Sequence, residues 1–163
     1  MAELRKAMAA MNFEKVETLL NSGNIVFEAQ ANDTEVLEKM ISDRLEKVFG
    51  FSIPTMVRKS AMIDRLIDRD PFKGVMLTKD IRLYVSFLRK EVNTGLELPW
   101  TSSDSSFKIL DNSEKTIMSV LDLSISKTPK AMGVLEKSYG SDITTRNWNT
   151  IKRIEKKLGA DRH

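Results

Sequence analysis

The ten residues IRLYVSFLRK, at 81–90, decide the fold class, because they form the clearest strand in the chain. Branched and aromatic side chains dominate them, and such residues fit a pleated surface that is packed on at least one face. A strand in the middle of a chain needs partners, so the sequence on either side is read for them.

Upstream, Leu4, Ala7, Met8 and Met11 recur at helical spacing. VETLLNSGNIVFEA, at 16–29, then reads as a hairpin, since two apolar runs flank Asn21, Ser22, Gly23 and Asn24, and Gly and Asn tolerate positive φ in a tight turn. A long amphipathic helix is predicted over 33–49. Asn32 and Glu35 give it a capping-box start, Val36, Leu37, Met40, Ile41, Leu45 and Val48 its buried face, and Gly50 its stop. FSIPTMVRK, at 51–59, reads as a strand that Pro54 pushes to an edge or a strand start. Ser60 caps a helix carrying Ile63, Leu66 and Ile67 that ends before Asp70 and Pro71.

Downstream, EVNTGLELPWTSSDSS, at 91–106, reads as a short helix followed by a loop, and residues 106–124 as a second hairpin turning around Asp111, Asn112, Ser113 and Glu114. Thr128 is the expected N-cap and Pro129 the first helical residue of a helix that Gly140 closes. A last helix is expected to begin at Thr144 or Thr145. Helix, hairpin, helix and strand, followed by strand, helix, hairpin, helix and helix, is the order of an α+β protein. Its two halves are βαββαβ-related, residues 1–75 and 76–163, with the opening strand absent from the first half and an extra helix at the C-terminus.

Composition narrows the function. With 41% hydrophobic and 30% charged residues, the 163-residue chain has the make-up of a globular protein, and no apolar run approaches the roughly 20 residues of a transmembrane helix. It contains no cysteine, which excludes disulfides, thiolate ligands and thiol nucleophiles and fits a cytoplasmic location. Histidine occurs only as His163, so a His-based triad or metal site is not expected. Asp64 and Asp68, like Asp104 and Asp111, read as solvated surface pairs, and the seven glycines form neither a Walker nor a dinucleotide pattern. No metal, no cofactor and no membrane partner is expected.

The net charge of +3 is unevenly placed: residues 1–80 carry −1 and residues 81–163 carry +4. The excess lies in the basic stretch from residue 146 to 162, which attracts anions in general. There, DITTRNWNT, at 142–150, has two readings. At about 100° per residue, Ile151, Ile154 and Leu158 share one helical face, with Trp148 on its flank and Asn147 near its centre. Trp148 then belongs to the core, Asn147 needs a buried partner, and the two threonines cap free amides. The same amides together with Arg146 also make an anion site.

NSGNIVFEA at 21–29, FGFSIPTMVR at 49–58 and TTRNWNT at 144–150 together resemble the bacterial domain of unknown function 1697 family, and SISKTPKAMGVLEKSYG at 124–140 is similar to that family's segment before its penultimate helix. The resemblance runs across nearly the whole chain. It implies small cytoplasmic proteins without an established activity, folded as duplicated ferredoxin-like halves. Family members usually begin with a strand ending in an Arg-Gly-Ile-Asn-Val-Gly-Gly-like run, whereas this chain starts at the Met1, Ala2, Glu3, Leu4 that follows it. Strands near 25–29 and 53–57 are then expected to pair directly, or another chain to fill the gap, making a homodimer through the incomplete first-half sheet.

The leading functional expectation is a binding module for a small anionic or phosphate-bearing ligand held by Ser22, Gly23, Asn24, Lys127, Thr144, Thr145, Arg146 and Asn147, with Ser126 and Trp148 beside them. A nucleic-acid binder using Lys152, Arg153, Lys156 and Lys157 is the first alternative. The aromatic residues are not interleaved with the basic ones as stacking platforms are. An enzyme of unknown class is the second.

Overall fold

The computed structural model describes residues 2–19, 23–30 and 33–160. Its elements in chain order are α1 (Ala2–Ala9), β1 (Glu14–Leu19), β2 (Asn24–Glu28), α2 (Thr34–Phe49), α3 (Ser60–Arg69), β3 (Ile81–Leu88), β4 (Trp100–Thr101), β5 (Phe107–Ser113), β6 (Thr116–Asp122), α4 (Thr128–Tyr139), β7 (Ile143–Asn147) and α5 (Trp148–Ala160). The mixed α+β class expected from the sequence is therefore observed. Two compact units divide the chain: Met1–Ile63 with Ile154–His163, and Asp64–Arg153.

In the first unit, β1 and β2 form an antiparallel hairpin, and no other strand joins them among the described residues. Gly23, at φ 78°, takes the left-handed position of the turn that glycine adopts without strain. The predicted turn residues Asn21 and Ser22 lie outside the described residues. Ile25 and Phe27 on one side of β2 pack with Met8 of α1 and with Leu37, Ile41 and Leu45 of α2. On β1, Glu17 forms an ion pair with Lys157 of α5.

Three expectations for this unit are corrected. The predicted strand at 51–59 does not form. Its polar backbone groups go to α2 instead: the Glu38 carboxylate accepts from the Val57 amide at 2.9 Å, and the Ser42 hydroxyl donates to the Ile53 carbonyl at 3.3 Å. The segment therefore does not pair with β2. The N-cap of α2 is Asp33, which accepts from the Glu35 amide at 2.9 Å, while Asn32 lies outside the described residues. Finally, the apolar sector of α2 is wider than the surface that covers it. Leu37, Ile41 and Leu45 are buried, whereas Val36, Met40 and Val48 are 49%, 42% and 46% exposed.

The second unit carries a five-stranded antiparallel sheet in the order β4-β5-β6-β3-β7. IRLYVSFL, as β3, sits inside it between β6 and β7. Because side chains alternate along a strand, Tyr84, Leu88, Ile109, Ile117 and Leu121 point to one face, where they pack with Ala131, Leu135 and Tyr139 of α4. Val85, Phe87, Met118 and Val120 are buried on the opposite face.

The short helix expected within 91–106 is absent. Asn93, Gly95 and Pro99 break it, with Asn93 accepting from the Gly95 amide at 3.1 Å and Thr94 from the Leu96 amide at 3.2 Å. Val92, Leu96 and Leu98 still pack on the α4 side of the sheet, so an irregular strap does the covering that a helix was expected to do. The second hairpin forms, but its turn is Glu114 and Lys115, both left-handed at φ 52° and 57°. Two bonds hold this uncommon geometry: the Lys115 amide donates to Glu91 at 2.7 Å, and the Leu88 amide to the Lys115 carbonyl at 2.8 Å. Thr128 is the first residue of α4 and not its cap, which is Lys127, because the Thr128 hydroxyl is shared with the Tyr84 hydroxyl at 3.0 Å.

Candidate functional site

The largest correction concerns DITTRNWNT. Thr144, Thr145, Arg146 and Asn147 are not the start of a helix; they form the edge strand β7, and α5 begins only at Trp148. The reason is pairing. Leu88 faces Ile143, Phe87 faces Thr144, Ser86 faces Thr145, Val85 faces Arg146 and Tyr84 faces Asn147. The ladder with β3 captures the segment before helical periodicity can, and β-branched threonines suit it.

Alternation then divides the four residues. Thr144 and Arg146 lie on the Val85 and Phe87 side, Thr145 and Asn147 on the Tyr84 and Ser86 side. Asn147 is exposed at the strand end and not buried on a helical face, so the expected need for an internal partner disappears. Thr145 shares a 2.7 Å hydrogen bond with the fully buried Ser86 hydroxyl. Trp148 is buried as expected and meets Phe72 edge-on, with ring centroids 5.2 Å apart.

Arg146 is the unusual member. It is half-buried, and its Nη1 donates to the Thr144 hydroxyl at 2.8 Å and to the Thr145 carbonyl at 3.0 Å. Burial pulls the guanidinium below its ordinary pKa, although arginine stays cationic throughout the physiological range. Two residues later α5 begins, and its first turn contains no acidic residue. The opening amides of a helix have no intrahelical acceptor, and its dipole makes that end positive. Arg146 and the start of α5 thus put a fixed cation and a helix N-terminus within three residues of each other.

The other expected residues are placed as follows. Gly23 is exposed in the β1–β2 turn, and Asn24 is buried with its side-chain amide donating to the Leu19 carbonyl at 3.3 Å, closing the hairpin. Ser22 lies outside the described residues. Lys127 is exposed at the start of α4, where its carbonyl accepts from the Lys130 amide at 3.2 Å and Pro129 has no N–H to offer. On α5, Lys152, Arg153 and Lys156 are exposed, but Lys157 is occupied by Glu17.

Sequence reading missed one organised cluster. The Asp104 carboxylate accepts from the Ser106 hydroxyl at 2.6 Å, the Ser106 amide at 3.0 Å and the Ser102 hydroxyl at 2.8 Å, with the Lys130 ammonium 3.4 Å away. These donors, Ser106 foremost, hold its pKa well below the usual carboxylate range. The signal was the spacing of SSDSS, in which the serines two before and two after an aspartate can fold back on it. Asp111, its expected surface companion, instead forms an ion pair with Arg69 at 3.6 Å.

The family model for DUF1697, described as a protein of unknown function, matches residues 1–104. The chain belongs to the DUF1697 family. Gly23 and Asn24 fall inside the matched span, whereas Lys127, β7 and α5 lie beyond it. The fold is similar to the structure of the conserved bacterial protein SP0830 from Streptococcus pneumoniae. The TM-score is 0.67 at 22% identity, over 97% of this DUF1697 chain and 88% of that one. A comparison with curated proteins gave no match.

Proposed function

We propose that this DUF1697 chain is a binding module for a small anionic, phosphate-bearing ligand, with Arg146 as its charge anchor. One observation carries this reading: a half-buried guanidinium is pinned by a hydroxyl and a carbonyl beside a helix start that has no acidic residue in its first turn. A guanidinium carries five N–H donors in a planar fork, and an oxyanion that accepts two of them forms a strong charge-assisted pair. Amides at the start of α5 add donors for the remaining oxygens. Thr144, on the same face of β7, orients the guanidinium, whereas Asn147 lies on the other face and is not part of this site.

Thermal unfolding with inorganic phosphate and a panel of phosphorylated metabolites tests this. A ligand at 100 times its Kd stabilises a protein by about 2.7 kcal/mol. Arg146→Ala should abolish that stabilisation, while Arg146→Lys, which keeps the charge but not the fork, should retain a small part of it. A panel without a stabilising member, or full stabilisation of a folded Arg146→Ala variant, removes the proposal.

The exposure of Lys152, Arg153 and Lys156 supports a second reading, nucleic-acid binding along α5. With Lys157 held by Glu17, three cations remain, so log K should fall with log salt at a slope of about −2 to −3. No binding to a mixed oligonucleotide at low salt ends that reading. We further infer that the outer edge of β2 pairs with a second copy, because β2 has one strand neighbour among the described residues although Asn24 and Val26 are buried and Ile25 and Phe27 half-buried.

A further inference from the structure

One end of the second unit carries apolar side chains that the fold leaves in water. Met76 and Leu77, in the connection before β3, are 82% and 67% exposed, and Ile125, just after β6, is 52% exposed. The pairing of Ile81 with Asp122 and the 2.8 Å bond from the Leu123 amide to the Asp80 carbonyl bring these two connections together at the same end of the sheet. Exposed Lys73 and Lys79 bracket the Met76 and Leu77 tip in sequence, and exposed Lys127 follows Ile125. Exposed Arg82 holds the connection, its Nη1 donating to the Lys79 carbonyl at 2.8 Å and the Ile81 carbonyl at 3.2 Å.

Two of the carboxylates at this end are already engaged. Asp122 accepts from the Ser124 amide at 2.9 Å and the Ser124 hydroxyl at 2.5 Å, and Asp104 from Ser102, Ser106 and Lys130. Asp80 is half-buried beside the anchoring bond. Lys73, Lys79, Arg82 and Lys127 are all exposed and outnumber Asp70, the exposed acid beside Lys73.

We propose that this end of the molecule docks on an anionic lipid surface, with Met76, Leu77 and Ile125 entering the headgroup boundary and Lys73, Lys79, Arg82 and Lys127 meeting the lipid phosphates. Two features favour a bilayer over a protein partner. A groove for a peptide or a second copy has apolar residues that are half-covered by their neighbours, whereas Met76 and Leu77 protrude. Their flanks are lysines and an arginine, so the charge complement is a negative surface. The insertion is shallow and interfacial; no helix among the described residues is long and apolar enough to cross a membrane. A search for long apolar segments does not detect a contact of this kind, and the inference runs against the expectation of no membrane partner.

Co-sedimentation of the full chain with phosphatidylglycerol-containing vesicles and with vesicles of phosphatidylcholine alone tests the proposal. Each basic residue near a negative leaflet strengthens binding roughly fivefold, so partitioning to the anionic vesicles should exceed that to the neutral ones by well over tenfold. The double substitution Met76→Ser with Leu77→Ser should lower it about tenfold or more, and Lys73→Glu with Lys79→Glu should lower it further, both leaving the circular dichroism spectrum unchanged. Equal partitioning to both vesicle types, or none to either, overturns the proposal. So does a concentration-dependent self-association that the serine pair abolishes while vesicle binding persists.

Discussion

The hairpin of the first unit and the five-stranded sheet of the second meet the same requirement, burying a strand, with different means. In the second unit β3 has a strand on each side and buried residues on each face. In the first, β2 is only partly buried and has one strand neighbour among the described residues, and the helix packed on it leaves Val36, Met40 and Val48 in water. A two-stranded ribbon is marginal by itself and depends on the elements packed against it. The hairpin therefore rests on side-chain packing and a few polar ties, whereas the larger sheet rests on its ladders as well. Local stability should differ accordingly.

The largest effect is expected where the ladder-rich sheet loses core volume. Leu121→Ala should cost about 3–5 kcal/mol, and Leu45→Ala in the hairpin unit nearer the lower end of the usual 2–5 kcal/mol range, because a half-covered helix has room to relax. Urea denaturation of both variants measures the difference. Equal losses would mean that the exposed flank of α2 gives the first unit no extra slack.

Glu38 offers a sharper test, since it is the main polar tie of the first unit. Its carboxylate holds the Val57 amide and lies 3.3 Å from the Arg58 guanidinium, with both side chains largely buried. Glu38→Ala leaves a buried amide and a guanidinium without that acceptor and should cost about 3 kcal/mol. Hydrogen exchange should then accelerate first in residues 53–58 and in β2, with β3 and β6 unchanged. Acceleration in β3 and β6 to the same degree would show that the two units unfold as one.

These contrasts also explain which parts of the molecule were legible in the sequence. IRLYVSFLRK announced a strand because its branched and aromatic side chains suit a pleated, packed surface, and Gly140 and Gly50 announced helix ends because their backbones need no side chain. The strand TTRN was hidden for a physical reason: four polar residues next to Trp148, Ile151 and Ile154 extend a helical pattern, and only the ladder with β3, more than fifty residues away, overrides it. FSIPTMVRK failed the other way. Its residues favour a strand, but Glu38 and Ser42 claim its backbone groups first. Glu114 and Lys115 are not turn formers by composition; Glu91 and Leu88 hold them in place. For the candidate site, the sequence singled out Arg146 as a residue to explain but assigned its neighbours to a helix. The alternation of β7 then separated Arg146 and Thr144 from Thr145 and Asn147.

Acid offers a smaller effect, confined to the second unit. The folded pKa of Asp104 lies below the unfolded value of about 3.9. Its contribution is therefore complete above about pH 4 and is lost as pH falls through that value toward the folded one. Asp104→Asn should remove this component, flattening the loss of stability between pH 4 and pH 2.5 while leaving the first unit's exchange rates unchanged. An unaltered pH profile would show that the serine bonds already form in the unfolded chain.

The smallest expected change in stability carries the most information about the open edge. Met40 and Val48 are exposed on α2, so replacing both with Lys should move stability by no more than about 0.5 kcal/mol each. If β2 pairs with a second copy and the uncovered flank of α2 lies against it, light scattering of the parent chain should show a dimer, and the double variant should be monomeric with an unchanged unfolding midpoint. Pairing through the backbone alone predicts a different pattern: the lysine pair leaves the dimer intact. A parent chain that is monomeric at high concentration excludes both. It would leave the first unit as a hairpin stabilised by α1, α2 and the Lys157–Glu17 tie without any added strand.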